Sequence, residues 1–416
     1  MWIRADGFFT RFPCLIISRS ASVRTLFVSY NGLLDSLGQS QVLPYLRELR
    51  KDGHEVAVLS FEREGELQPD RVRALQEELA RTGIRWSWMR YHKRPPVLST
   101  CWDVAAGMVA TCWLALRCRA QVVHARSQIS AVMAWPVARL LRRRFIFDLR
   151  GQMAYEYVDG GLWPPNGLLF RLVKRSETRL VKDADALVVL TRTLARDVTA
   201  EAACQPMVIP TCVDLDRFPR PTPEFPGGAP TMVYCGSLGA RYALHLLARC
   251  YVEAKKLEPT MRLLVVTHTD PSALCEALRE AGEDCSGVEI TRAEHRAIPG
   301  LLARGRFGVL LLQGRRSLRG ASPTKVGEYL ACGLPVLASP GIGDCLEQLE
   351  GNRVGIVLAD NDPASFGAGL RRLFALLAEG PALRERCRKV AEKEFSLTGV
   401  GGPSYRTLYR TIEICG

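Results

Sequence analysis

Lys325 and Glu328 lie in the run SPTKVGEYLACGLPVLAS (322–339), which is the most chemically informative stretch of the chain. Ser322 suits a helix N-cap and Pro323 the first helical position, so both side chains are expected within the first turn or two of a helix. Gly333 suits a left-handed stop, and Pro335 suits the first residue of a buried parallel strand running through Ala338. A helix N-terminus with backbone N–H groups and a nearby Lys fits a phosphate or diphosphate. An ionised carboxylate beside it can accept from both hydroxyls of a ribose. Residue types alone fit two readings: a nucleotide site, or a capped αβ unit whose Lys and Glu are merely solvated.

Such a site must be held by sheets. Strand-like runs alternate with helical ones, which indicates an α/β architecture with parallel sheets. The first series is VRTLFVSY (23–30), HEVAVLSF (54–61), QVVHARS (121–127), RFIFDLRG (144–151) and DALVVLTRT (185–193). A helix through QVLPYLRELRKDG, closed by Gly53, separates the first two. The Pro- and Gly-rich stretch 206–230 breaks the pattern and is the expected linker between a first domain (23–205) and a second (231–395). The second series is TMVYCGS (231–237), RLLVVTH (262–268), FGVLLLQ (307–313), LPVLAS (334–339) and VGIVLA (354–359). A helical stretch over 363–395 follows. Residues 396–416 end in a terminal helix that could return to the first domain. Two Rossmann-like domains would then face a cleft, with ligands outside the carboxyl ends of the strands.

At 416 residues the chain is too long for one ordinary core. Its net charge of +13 favours an anionic partner such as a nucleotide sugar or an anionic lipid surface. No DNA- or RNA-binding signature accompanies the charge, so nucleic acid is not an expected partner. The 14 cysteines form no C-x-x-C pair and no His/Cys cluster of zinc spacing, which points to free thiols, no metal site and a cytoplasmic setting. Cys112, Cys235 and Cys332 sit in apolar runs and are expected to be small core residues. The N-terminal apolar piece is interrupted by Arg11 and Pro13 and does not read as a signal peptide. Val97 to Leu116 is the most apolar long window; with Asp103 and Gly107 inside it, a buried or membrane-surface helix is expected rather than a spanning one.

The order of these motifs resembles the retaining nucleotide-sugar glycosyltransferases of glycosyltransferase family 4, which have the GT-B fold. The likeness is carried by residues 26–62, VVHARS (122–127), FDLRG (147–151), VIPTCVDLDRF (208–218), VYCGSLGARY (233–242) and ASPTKVGEYLACGLPVLASPGIGD (321–344). It is nearest to bacterial enzymes that build surface or exported polysaccharides.

The resemblance implies roles residue by residue. Glu328 matches the ribose-binding Glu, and Lys325 with Thr324 would meet the donor diphosphate. Gly236, Ser237 and Gly239 match a phosphate loop in which Arg241 is the only nearby cation; the usual Arg-and-Lys pair is absent. Arg292 and Ala293 match the loop that receives the base. Gly38, Gln39 and Ser40 match the first-domain loop beside the donor phosphate and acceptor, and open a helix whose N–H groups could face an anion. Arg126 takes the position usual for a His near the transferred sugar, with His124 two residues before it, and Arg150 ends another strand facing the cleft. Many relatives carry a second Glu where this chain has Gly320.

The resemblance therefore implies sugar transfer with retention from a UDP- or GDP-linked donor, without a metal. Lys325, Arg126 and Arg241 would stabilise the departing diphosphate. The implied acceptor is a polyprenyl-diphosphate-linked saccharide at the inner face of the cytoplasmic membrane. Basic and aromatic stretches at 86–96 and 139–145 fit peripheral contact with anionic lipid, or are simply solvated faces. Two other readings stay open: a nucleotide-sugar 2-epimerase, and a non-catalytic subunit, which the Gly320 departure favours. A nicotinamide dehydrogenase is disfavoured, since SYNGLLDSLG stands where G-x-G-x-x-G would be.

Overall fold

Short runs rich in Val, Leu and Phe form strands covered on both faces, as parallel strands in an α/β protein must be. The computed structural model describes residues 22–238, 244–313 and 315–414. Among these, the first half of the chain forms β1 (Arg24–Ser29), α1 (Ser36–Gln41), α2 (Leu43–Lys51), β2 (Glu55–Glu62), α3 (Pro69–Arg81), β3 (Ile84–Arg90), α4 (Pro96–Arg117), β4 (Val122–Arg126) and α5 (Gln128–Leu140). It continues with β5 (Arg144–Leu149), α6 (Met153–Asp159), α7 (Leu168–Asp183), β6 (Ala186–Val189), α8 (Arg192–Val198) and β7 (Met207–Val208). These strands pair in parallel in the order β3-β2-β1-β4-β5-β6-β7.

The second half forms β8 (Thr231–Cys235), α9 (Leu244–Leu257), β9 (Arg262–Val266), α10 (Ser272–Glu280), β10 (Val288–Thr291), α11 (Ile298–Leu302) and β11 (Phe307–Leu310). Then come α12 (Thr324–Ala331), β12 (Val336–Ala338), β13 (Gly355–Val357), α13 (Pro363–Leu377), α14 (Pro381–Glu394) and α15 (Gly402–Ile414). Its strands pair in parallel in the order β10-β9-β8-β11-β12-β13. The chain is thus two Rossmann-like α/β domains. In each sheet the order reverses beside the first strand, at β1/β4 and at β8/β11, where open α/β sheets leave a crevice for ligands.

Two apolar cores flank the first sheet. Leu26, Val28, Ala131, Met133 and Phe147 belong to the one under α4 and α5. Phe27, Leu46 and Val58 belong to the other, and Tyr405, Leu408, Tyr409 and Ile412 of α15 complete it. The chain crosses between the sheets twice, and the crossings pair: Val213 N–H donates to Phe395 O (2.7 Å), and Leu397 N–H donates to Val213 O (2.9 Å).

Several expectations need correction. The basic and aromatic stretch 86–96 has no secondary structure assigned from sequence, and residues 86–90 lie in the edge strand β3, with Trp86 Nε1 donating to Ser60 Oγ (2.8 Å). The helix expected through 41–53 is preceded by the separate short helix α1. Ser322 does not cap α12: Pro323 holds the N-cap position, and Ser322 Oγ accepts instead from Thr211 N–H (3.1 Å). Gly333 does close the helix in the left-handed region, at φ +73°. Cys235 and Cys332 are buried, while Cys112 is half-buried.

Candidate functional site

Helix α12 is aimed by Tyr329. Its hydroxyl accepts from Cys235 N–H at the end of β8 (2.9 Å) and donates to Val309 O of β11 (3.4 Å). The ring fits because residue 308 is Gly; a Cβ there would strike it. With the helix fixed, Lys325 reaches across Gly236, and its ammonium lies 4.5 Å from the centre of the Tyr234 ring and 3.4 Å from the Tyr234 hydroxyl. Gly236 sits at φ +145°, and a Cβ at that position would collide with the Lys325 ammonium. Burial lowers the Lys325 pKa to about 8 and raises that of Glu328 to about 7. No side chain caps the first turn of α12. Glu328 and Thr324 line a cavity of about 310 Å³ together with Gln39, Ser40, Arg47 and Arg217.

The first domain contributes a second group at the carboxyl ends of β1, β4 and β5, where Ser29, Arg126 and Asp148 lie side by side. Arg126 is buried; it donates to Gln41 Oε1 (3.0 Å) and Asn31 Oδ1 (3.4 Å). Arg150 lies 3.5 Å from Asp148, whose other oxygen accepts from the Tyr405 hydroxyl (3.3 Å). Burial and the neighbouring Arg150 lower the Arg126 pKa to about 10, so it stays charged at neutral pH. Arg126 Nε and both Arg150 Nε and Nη2 have no hydrogen-bond partner among the described residues. Two guanidinium groups thus share one carboxylate in a buried space, which favours an added anion.

Gln41 joins the two groups. Its Oε1 accepts from Arg126, and its Nε2 donates to Thr324 Oγ1 at the head of α12 (3.0 Å). The structure therefore gathers Gln39, Ser40, Arg126, Thr324, Lys325 and Glu328 around one interdomain cleft. Gly236 lies against Lys325, and exposed Ser237 follows it, its carbonyl accepting from the Tyr234 hydroxyl (2.6 Å). Arg292 is exposed just past β10, and Ala293 packs against the second domain's core. Arg241 and Gly239 fall outside the described residues.

Two expected site residues are placed differently. His124 is a core residue: it is fully buried, its Nδ1 pairs with the Tyr409 hydroxyl (3.1 Å), its ring lies 4.6 Å from that of Phe27, and burial lowers its pKa to about 4. The Gly38 amide does not face an anion, because Asp35 Oδ1 accepts from it at 2.8 Å as the N-cap of α1. Gly38 instead allows close packing, since a Cβ would run into Gly32 O.

Three contributors were missed from sequence. Gln41 was read only as part of a helix. Glu62 holds the loop after β1 by accepting from Leu33 N–H (2.7 Å) and Leu34 N–H (3.1 Å). Asp344 accepts from Arg192 N–H (2.6 Å) and Thr193 N–H (3.0 Å) at the start of α8. A buried carboxylate ending a strand, as Glu62 does, was the available signal. At the Gly320 departure, a Cβ would stand 2.9 Å from Leu194 Cδ2 of the first domain, so that any larger residue there would make this side chain shift.

Residues 39–217 match the family model described as Glycosyltransferase Family 4, and residues 229–375 match Glycosyl transferases group 1. No protein of curated function matches the chain in sequence. Among solved structures, the chain is similar to a sucrose-phosphate synthase of Thermosynechococcus elongatus, with TM-score 0.73, 15% identity and coverage of 95% of this chain and 100% of that one. It is similar to a glycosyltransferase of Rickettsia africae (TM-score 0.67, 15% identity, 95% and 99% coverage). It is also similar to HepE of Anabaena in complex with UDP and glucose (TM-score 0.67, 12% identity, 93% and 99% coverage). Residues 39–217 and 229–375 thus each resemble a glycosyltransferase model, and the two parallel sheets share the GT-B fold of the solved structures named above.

Proposed function

We propose that the protein transfers a sugar, with retention, from a nucleoside diphosphate sugar to a hydroxyl of a lipid-linked saccharide at the cytoplasmic membrane face, in cell-surface or exported polysaccharide synthesis. The observation that carries this reading is that Gln41 joins Arg126 to Thr324 at the head of α12, the helix that also carries Lys325 and Glu328. Glu328 would accept from the ribose hydroxyls, and the base would lie near Arg292 and Ala293. Lys325, the first turn of α12 and Arg126 would stabilise charge on the departing diphosphate as the anomeric carbon becomes oxocarbenium-like. These fixed cations do the work without a metal or cofactor. Attack from the face that the diphosphate leaves needs no enzyme nucleophile. The UDP complexes of HepE support UDP as the donor nucleotide. Arg150, beside Asp148 in the same basic group, would attract the phosphate of donor or acceptor.

The test is nucleoside diphosphate release from UDP- and GDP-sugars, with and without a polyprenyl-diphosphate saccharide. Acceptor-dependent release is expected, and Arg126→Met should slow turnover about 10²–10³-fold while donor affinity stays near that of the parent. Release of an epimerised sugar nucleotide without acceptor would overturn the transferase reading in favour of an epimerase. No donor binding at all would point to a non-catalytic subunit.

A further inference from the structure

Helix α4 is built inside out. Its face toward the first domain buries Ser99, Asp103, Gly107 and Thr111 beside the apolar Leu114 and Ala115, with Val104 and Met108 also packed on the core, and its opposite stripe carries Leu98, Trp102, Val109, Trp113 and Leu116. Asp103 is 1% exposed and Thr111 0%, whereas Trp102 is 65% and Val109 71% exposed. A helix covered by water would show the reverse.

The inward face is firmly held. Asp103 accepts from the Tyr30 hydroxyl (2.9 Å) and His92 N–H (3.0 Å) and pairs with His92 Nδ1 (2.6 Å). At Gly107 the helix comes so close to the sheet and α5 that a Cβ would stand 2.7 Å from Met133 Sδ and 2.9 Å from Phe61 Cζ. By length and composition α4 could cross a membrane, although only 28% of its most apolar window is buried. Crossing would strip Asp103 and Thr111 from these places, so the helix is suited to lie on a bilayer and not to span it.

Charge selects the kind of surface. Lys93 and Arg94 precede the helix, Arg117 ends it and Arg119 follows, all exposed; between them Asp103 is the single acid, and it is buried. Basic residues at both ends of an apolar stripe match anionic headgroups around an acyl boundary. Trp102 and Trp113, eleven residues apart and so about 16 Å along the axis, suit the interfacial zone where indole rings settle.

We propose that the outward face of α4 docks flat onto an anionic lipid bilayer. The inference deepens the lipid-linked acceptor reading by naming the element that holds the enzyme at its acceptor, and its evidence is separate from the donor site.

The experiment is co-sedimentation of the full chain with phosphatidylglycerol/phosphatidylcholine vesicles and with phosphatidylcholine alone, for the parent, Trp102→Ser/Trp113→Ser and Glu328→Ala. Thermal melts confirm that each variant folds, and sedimentation velocity reports self-association. Binding to the anionic vesicles that falls at least tenfold in the double Trp variant but persists in Glu328→Ala supports the proposal, whatever becomes of the transferase reading. Brominated acyl chains should quench the parent's tryptophan fluorescence more than the variant's. Three outcomes overturn it: no binding by the parent, equal binding by the folded Trp variant, or a parental dimer that the Trp substitutions dissolve, which would make the face a protein interface.

Discussion

In the proposed donor site, Glu328 and Lys325 are the residues whose charge states would govern binding. Burial raises the Glu328 pKa from 4.5 to about 7 and lowers that of Lys325 from 10.5 to about 8. Glu328 is ionised above its value and Lys325 protonated below its own, so both are charged together between about pH 7 and 8. Affinity for a nucleoside diphosphate should peak there and fall on either side. In isothermal titration, Glu328→Gln should lose the dependence on the acidic side. A profile that is flat from pH 6 to 9 in the parent would remove Glu328 from the ribose. The same shift has a sign for stability. A carboxyl with a raised folded pKa contributes stability present below about 4.5 and lost as pH rises through about 7. Glu328→Gln should therefore gain stability relative to the unliganded parent between pH 5 and 8. At this scale the residue types of Lys325 and Glu328 left a nucleotide site and a solvated helix equally open, and only the family resemblance singled out Glu328 and Arg126. The resemblance set Arg126, and not His124, at the position near the transferred sugar, although the two are only two residues apart on β4. Both lie on the same face of that strand. His124 lies deeper, under Tyr409, while Arg126 reaches Gln41 at the strand end.

At the scale of elements, glycines set how closely α12 and the strand ends approach. Gly236 combines φ +145° with a place that the Lys325 ammonium fills. Gly236→Ala should cost about 1–3 kcal/mol in backbone strain, and it should also push Lys325 off Tyr234. Nucleotide affinity should drop about tenfold in the folded variant, measured by titration beside a denaturant melt. Undiminished affinity would show that the loop after β8 does not shape the phosphate site. Strands β1, β2, β4, β5 and β6 were legible because parallel strands read as continuous apolar runs. Strand β3 was not, since IRWSWMR alternates and carries charge as an edge strand does. Strand β10, VEIT, is four residues long and only partly buried, and gave no apolar run to see. A helix start was expected at Gly38, but α1 begins earlier, capped by Asp35, and the loop before it is held by Glu62, a contact 28 residues distant in sequence.

At the scale of the molecule, two domains are held on opposite sides of the cleft. One side has Gln41–Thr324 and Thr211–Ser322. The other has Asp344 of the second domain seated on the first amides of α8, with Arg319 paired to Asp197 at 2.7 and 2.8 Å. Asp344 is buried, and its carboxylate meets the positive end of that helix. Asp344→Ala would leave two amides without their acceptor and should lower unfolding free energy by about 1–3 kcal/mol. Urea melts check this, and an unchanged midpoint would mean that water serves α8 as well. None of this interface was legible: it joins residues 111 to 283 positions apart, and no local pattern in the chain announces it.

The most direct test is thermal unfolding of the protein and of Glu328→Ala with UDP, GDP, their sugar conjugates and NAD. One nucleoside diphosphate, at about a hundred times its dissociation constant, should add roughly 2.7 kcal/mol of stability to the parent and little to the variant. A parent indifferent to every nucleotide, or a variant stabilised as much as the parent, would contradict a donor site at the head of α12.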